Sequence, residues 1–224
     1  MDERSHKMKT SVLAILVLTL AIGIRASAQT TDEAQKYNFV IGGGVGFPQG
    51  STGNIVNSGG NFVIGGGVNS HLASFDGEFM WHDLPPKSSV VALTGAPDGH
   101  ARLYSVTGNA MLHSSAAHKA GFYGILGIGW YHRSWELTHP TVALGTTCLP
   151  SYAFWGVVCT NGLVSADAVI NSGSQNAFGW NLGAGLTYRL GESHVKAYAE
   201  ARWHYAYFSH FNTKVIPLTF GIRW

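Results

Sequence analysis

The chain has 224 residues, of which only 12% are charged and 29 are glycine, with a formal net charge of +2. Arg4, Lys7, Lys9 and Arg25 against Asp2 and Glu3 account for that +2, so the chain beyond residue 28 is near neutral and its basic pI does not point to nucleic acid. Nor does any apolar run beyond residue 28 reach the roughly 20 residues of a membrane-spanning helix, which excludes a helical membrane protein.

Residues 1–28 read as an export signal peptide. Arg4, Lys7 and Lys9 form a basic start, Ser11 to Ile24 an apolar stretch, and Ala26-Ser27-Ala28 a small-residue cleavage site. The mature chain is expected to begin at Gln29, with Asp32 to Lys36 as a short polar lead-in to a single domain, 29–224.

From Tyr37 the chain alternates. Apolar side chains of one parity and small or polar ones of the other mark strands at about Tyr37–Pro48, Gly60–Asn69, Leu72–His82, Ala101–His113, Gly121–Arg133 and Asn176–Leu190, because successive strand residues point to opposite faces. The first two strands carry an identical segment, Asn38 to Val45 and Asn61 to Val68, which fits a duplicated hairpin arm. Its glycine run matches neither dinucleotide nor P-loop spacing and has no helix after it; it is expected to leave room for long neighbouring side chains or to ease curvature. Gln49 to Gly59, Asp83 to His100 and, longest, Ser134 to Gln175 read as loops, while the turns near Ser70, Ser114 and Gly191 are tight.

The final hairpin shows which solvent each face meets. Ile216, Leu218, Phe220, Ile222 and Trp224 share one parity; Pro217, Thr219, Gly221 and Arg223 share the other. In the preceding strand Ala197, Ala199, Ala201, Trp203 and Tyr205 alternate with Lys196, Tyr198, Glu200, Arg202 and His204. Strands about ten residues long, with aromatics near their ends and opposite charges on the second face, are apolar towards lipid and polar towards a lumen. An exported chain without helical spans can cross lipid only as a closed barrel, since every backbone polar group must be paired internally. The expected fold class is therefore all-β: a transmembrane up-and-down antiparallel beta-barrel of about eight strands. Tyr37, Phe47, Trp81, Tyr104, Phe122, Trp130, Trp180, Tyr188 and Trp203 are the expected lipid-interface aromatics. Short turns belong at the periplasmic side, so the long loop at about 134–175 is expected at the cell surface.

The closing stretch Ile216-Pro-Leu-Thr-Phe-Gly-Ile-Arg-Trp224 resembles the last strand of small bacterial outer-membrane barrels of the OmpA/OmpX type, barrel domain only. The resemblance implies that Phe220, Ile222 and Trp224 form an insertion signal read by the barrel-insertion machinery, and that the surroundings are outer-membrane lipid and lipopolysaccharide.

A lumen of eight strands is wide enough only to be filled by side chains. Asp76, Glu78 and Glu200 against Arg133, Arg189, Lys196 and Arg202, with His204 nearby, are expected to pair there as a lumen charge network, because an unpaired buried ion costs several kcal/mol. Cys148 and Cys159 share one loop of an exported chain and are expected to form a disulfide. The eleven histidines are dispersed and show no ligand spacing, so neither a metal nor another cofactor is expected.

Small barrels that deacylate lipid A carry a His-x-Ser element on a late strand. Arg202-Trp203-His204-Tyr205-Ala206 is superficially similar, but Ala206 stands at the nucleophile's place; Ser209-His210 is a weaker candidate. The expected function is thus that of a non-enzymatic barrel, integral to the cell outer membrane and monomeric, with a salt-bridged, nearly closed lumen. It would act in envelope integrity or surface interaction through its extracellular loops, with an unidentified surface partner. The alternative is a narrow pore for ions or small solutes, and a lipid A-modifying enzyme ranks third.

Overall fold

The computed structural model describes residues 36–70, 73–114, 119–151, 156–191 and 194–224. The expected export signal at 1–28 and the lead-in up to residue 35 lie outside the described residues. Eight antiparallel strands run in chain order: β1 Tyr37–Pro48, β2 Gly59–Ser70, β3 Ala73–Asp83, β4 Asp98–His113, β5 Ala120–Ser151, β6 Gly156–Arg189, β7 Lys196–Ala206 and β8 Thr213–Arg223. They close into a barrel by pairing of β1 with β8, from Val40↔Arg223 to Pro48↔Val215. Closure leaves neither strand an edge within the barrel wall.

The alternation in the sequence becomes the two faces of this wall. Along β3, Ser74, Asp76, Glu78, Met80 and His82 are buried inside, while Phe75 and Phe79 stand exposed outside. Along β7, Tyr198, Glu200, Arg202, His204 and Ala206 turn inward. Strands of eleven or twelve residues, rising ~3.3 Å per residue and tilted about 40°, cross roughly 27 Å, the height of an apolar band in a bilayer. All nine expected interface aromatics lie on the outer face or at its rims, partly or fully exposed.

The repeated segments of β1 and β2 are direct antiparallel partners centred on Ile41↔Ile64, so a local twofold relates each residue of one to its counterpart in the other and sets Val40 against Gly65 and Gly42 against Val63. Their inward glycines make room, as expected. A Cβ added at Gly65 would fall 2.6 Å from the Cγ of Glu78, and one at Gly42 would fall 2.2 Å from the hydroxyl of Tyr198.

The long segment 134–175 is not irregular. β5 and β6 continue past the barrel wall, pairing from Thr138↔Val169 to Ser151↔Gly156 after a register shift at Leu137/Thr138. Their outer neighbours stop earlier, β4 at Asp98↔Thr138 and β7 at Gly179↔Ala206, so a two-stranded arm of about 14 residue pairs, on the order of 45 Å, extends without a further paired strand among the described residues. Cys148 and Cys159 are cross-strand partners in this arm and form its disulfide. Glycine, serine and Pro140 interrupt the apolar alternation here. Local hairpin pairing supplies the hydrogen bonds, and with side chains exposed on both faces strict alternation is no longer required. Two short helices, α1 (Ser51–Ile55) and α2 (Ser88–Leu93), fold over the same end of the barrel between β1 and β2 and between β3 and β4.

Candidate functional site

The interior is built in layers from the inward parities of all eight strands. In the lower layer Arg223 of β8 lies 3.5 Å from a carboxylate oxygen of Asp76 and 3.6 Å from one of Glu78, both on β3. The Asn38 amide of β1 donates to Asp76 at 2.8 Å. The guanidinium of Arg223 also stands over the rings of Tyr123 and Tyr198, at 5.2 and 5.7 Å from their centroids.

One step up, Arg202 of β7 binds two carboxylates at once, through Nη1 to Glu78 and through Nε to Glu200. Tyr123 donates its hydroxyl to Glu200 at 2.7 Å, and the Asn109 amide donates to Glu78 at 3.0 Å. Asn181 in turn donates to Asn109 at 2.9 Å, which ties β6, β4, β3 and β7 together through one chain of side chains. The Arg202 and Glu78 side chains are 2% and 1% exposed. At that burial an ion is tolerated only with its partners in place, so the network is a single unit in which each member holds the others.

Above it, Tyr131 and His204 share a 2.9 Å hydrogen bond, with the His82 ring 6.1 Å from that of His204. Next comes an apolar layer, in which Val56 and Leu84 from the connections meet Leu103, Ala177, Ala206, Phe208 and Val215. Beyond this layer opens a cavity of about 750 Å³, walled by α1, α2, the start of β4, the middle stretches of β5 and β6, and the β7–β8 connection.

Of the eight residues expected in the charge network, the structure brings together Asp76, Glu78, Glu200 and Arg202; His204 sits one layer higher, bonded to Tyr131. The other three do not join. Arg133 has the inward parity but stands above the apolar layer, where its guanidinium donates to Gln175, Thr213 Oγ1 and the Phe211 carbonyl and packs on the rings of Phe208 and Phe211. Arg189 and Lys196 are register partners of like charge at the opposite, turn-bearing end. Parity places a side chain on a face but says nothing of its height. Arg223 is the member that sequence reasoning missed. Its signal was present, since it shares the inward parity of Thr219 and Gly221.

Phe220, Ile222 and Trp224 all face outward. Trp224 exchanges two backbone hydrogen bonds with Phe39, at 2.8 and 3.0 Å, and their rings pack at 4.9 Å. Where a deacylase nucleophile would stand, Ala206 is buried in the apolar layer. Among the described residues, no group of three metal-ligating side chains comes together.

The chain matches a family model described as "Outer membrane protein beta-barrel domain" over residues 14–223. No curated protein matches it. Among solved structures, Neisserial surface protein A is 15% identical over 86% of this chain and 98% of its own, with a TM-score of 0.56. A major outer membrane protein from Thermus thermophilus is 11% identical over 85% and 99%, at 0.52. Ail, the attachment invasion locus protein of Yersinia pestis, is 17% identical over 85% and 99%, at 0.43. At these identities the first two likenesses are likenesses of fold.

Proposed function

We propose a function from the premise that this chain belongs to the family of outer membrane protein beta-barrel domains and is an integral barrel of the outer membrane: it is a non-enzymatic barrel with a closed lumen that works through its surface-facing end. The observation that carries this reading is the buried Glu78–Arg202–Glu200 bridge spanning the lumen under the apolar layer. On this reading the two together close the cross-section, as the width of an eight-stranded barrel allows. All the long connections and the disulfide-bonded arm gather at one end, the end that faces outward in barrels of this kind. Integrity of the envelope and contact with a surface partner are the roles such a molecule can fill as a monomer. Residues 1–28 serve as its export signal, and Phe220, Ile222 and Trp224 as the mark read during insertion.

Release of small solutes from vesicles containing the refolded chain tests the closed lumen. The reading predicts that trapped glucose and chloride leave no faster than from empty vesicles. Rapid, size-limited release would establish the narrow pore instead. Mass spectrometry of lipid A from cells overproducing the chain tests the rest: unchanged acylation is expected, and a new acylation state abolished by Ser209→Ala would make it an enzyme.

A further inference from the structure

The cavity above the apolar layer has a composition that selects a ligand. Its walls are predominantly aliphatic and aromatic, with Ile55, Val90, Val91, Leu137, Ile170 and Phe211 among them, and its floor is Val56, Leu84 and Leu103, which also belong to the layer sealing the lumen. Two arginines stand on this wall, Arg133 foremost and the exposed Arg102, alongside His210; no Asp or Glu is among the described residues lining it. Arg133 is the half-buried one, and all the hydrogen bonds it makes go to neutral acceptors. Two phenylalanine rings, 4.3 and 4.1 Å from its guanidinium carbon, fix its orientation without neutralising it.

We propose that this cavity binds a single-chain amphiphile with an anionic head, namely a long-chain carboxylate. The alkyl chain lies against α2, Leu137 and Ile170, and the carboxylate meets the guanidinium of Arg133. The chemistry follows from the parts. A cavity of this volume suits a small molecule, apolar walls reward burial of methylenes, and a planar guanidinium held in place matches the planar fork of a carboxylate. A neutral alcohol of equal length would bury the same chain and leave the charge of Arg133 uncompensated. A cationic amphiphile would be repelled. Because the floor is sealed by Leu84 and Leu103, the ligand is held at the mouth and not passed into the lumen. The proposal rests on the reading of this end as the surface-facing mouth of a closed barrel.

The test is a titration of the isotope-labelled chain in phosphatidylcholine nanodiscs, followed by amide and methyl chemical shifts. The probes are decanoate, 1-decanol and decyltrimethylammonium. Decanoate is expected to give saturable shifts at Val91, Leu137 and Phe211, at a concentration roughly tenfold or more below that needed for decanol, with decyltrimethylammonium weakest. Arg133→Gln should bring decanoate to the level of decanol while leaving decanol unchanged, and Val91→Trp should weaken both by filling the cavity. Equal binding of decanoate and decanol by the unmodified chain, or shifts confined to lipid-facing residues such as Phe122 and Leu126, would overturn the proposal. The three-probe comparison needs no variant, so it decides the matter even where Arg133→Gln fails to form a barrel. Failure here would leave the closed lumen standing, since that reading is judged by solute release and conductance.

Discussion

Glu78 on β3 and Arg202 on β7 meet across the lumen from opposite walls of the barrel, 124 residues apart in the chain and both almost completely buried. With Glu200 on the same guanidinium, loss of Arg202 leaves Glu200 without a cation among the described residues and Glu78 with Arg223 at 3.6 Å. Arg202→Met keeps the length of the side chain and removes its donors. It is expected to destabilise the barrel by about 3–5 kcal/mol, read from urea unfolding in lipid vesicles, because two carboxylates remain in a dry interior. Adding Glu78→Gln and Glu200→Gln should restore a large part of the loss. A single variant as stable as the unmodified chain would show that the interior is wet enough to solvate those carboxylates.

The glycines of β2 make a sharper steric test. At Gly65 a methyl would meet both Glu78 Cγ and the Gly77 carbonyl at 2.6 Å, whereas at Gly108 on β4 nothing lies within 4 Å. Gly65→Ala should cost about 1–3 kcal/mol in the same unfolding measurement, and Gly108→Ala less than about 0.5 kcal/mol. Equal effects at the two sites would remove the space-making role of the inward glycines.

The disulfide acts on the arm alone. The cysteines close a short loop at the far part of a hairpin that no other described strand accompanies, so Cys148→Ser with Cys159→Ser should leave global unfolding and heat-modifiable gel mobility unchanged. Amide exchange in the arm, from Thr138 to Ala168, should accelerate, reflecting about 2–3 kcal/mol of lost local constraint. A fall in the stability of the whole barrel would place the arm among the elements that support the wall.

How much of this was legible from residues alone differs by feature. The eight strands and their faces were readable because lipid outside and a packed lumen inside impose a period of two, and β1 falls at Tyr37–Pro48 as the alternation requires. The arm was not, because past the membrane nothing enforces apolar alternation, and Gly145, Gly162 and Pro140 then look like turn residues. Within the lumen, parity selected Asp76, Glu78, Glu200 and Arg202 but could not rank heights. Arg133 therefore entered the expected network although an apolar layer separates it from the others. The cavity was illegible for a further reason: its walls come from α1, α2 and three strands, and their convergence depends on closure of the barrel.

Trp224 offers a kinetic prediction. Its backbone pairs with Phe39 at the seam between the first and last strands, and its ring stands outward where the insertion machinery would reach it. Trp224→Ala should slow the appearance of heat-modifiable barrel in cells several-fold. It should change equilibrium stability by only about 1 kcal/mol, the worth of an exposed aromatic pair. A large equilibrium loss with unchanged assembly would make the residue a structural clasp and not a signal.

The closed lumen is tested most directly by single-channel recording of the refolded chain in planar bilayers, with heat-modifiable mobility confirming that barrels have formed. The account predicts silence from the unmodified chain at either polarity, because on the proposed reading the bridge from Glu78 through Arg202 to Glu200 and the apolar layer above it would leave ions no hydrated path. Steady, charge-selective openings that shift on Arg202→Ala would contradict it and identify a small pore lined by these same charges.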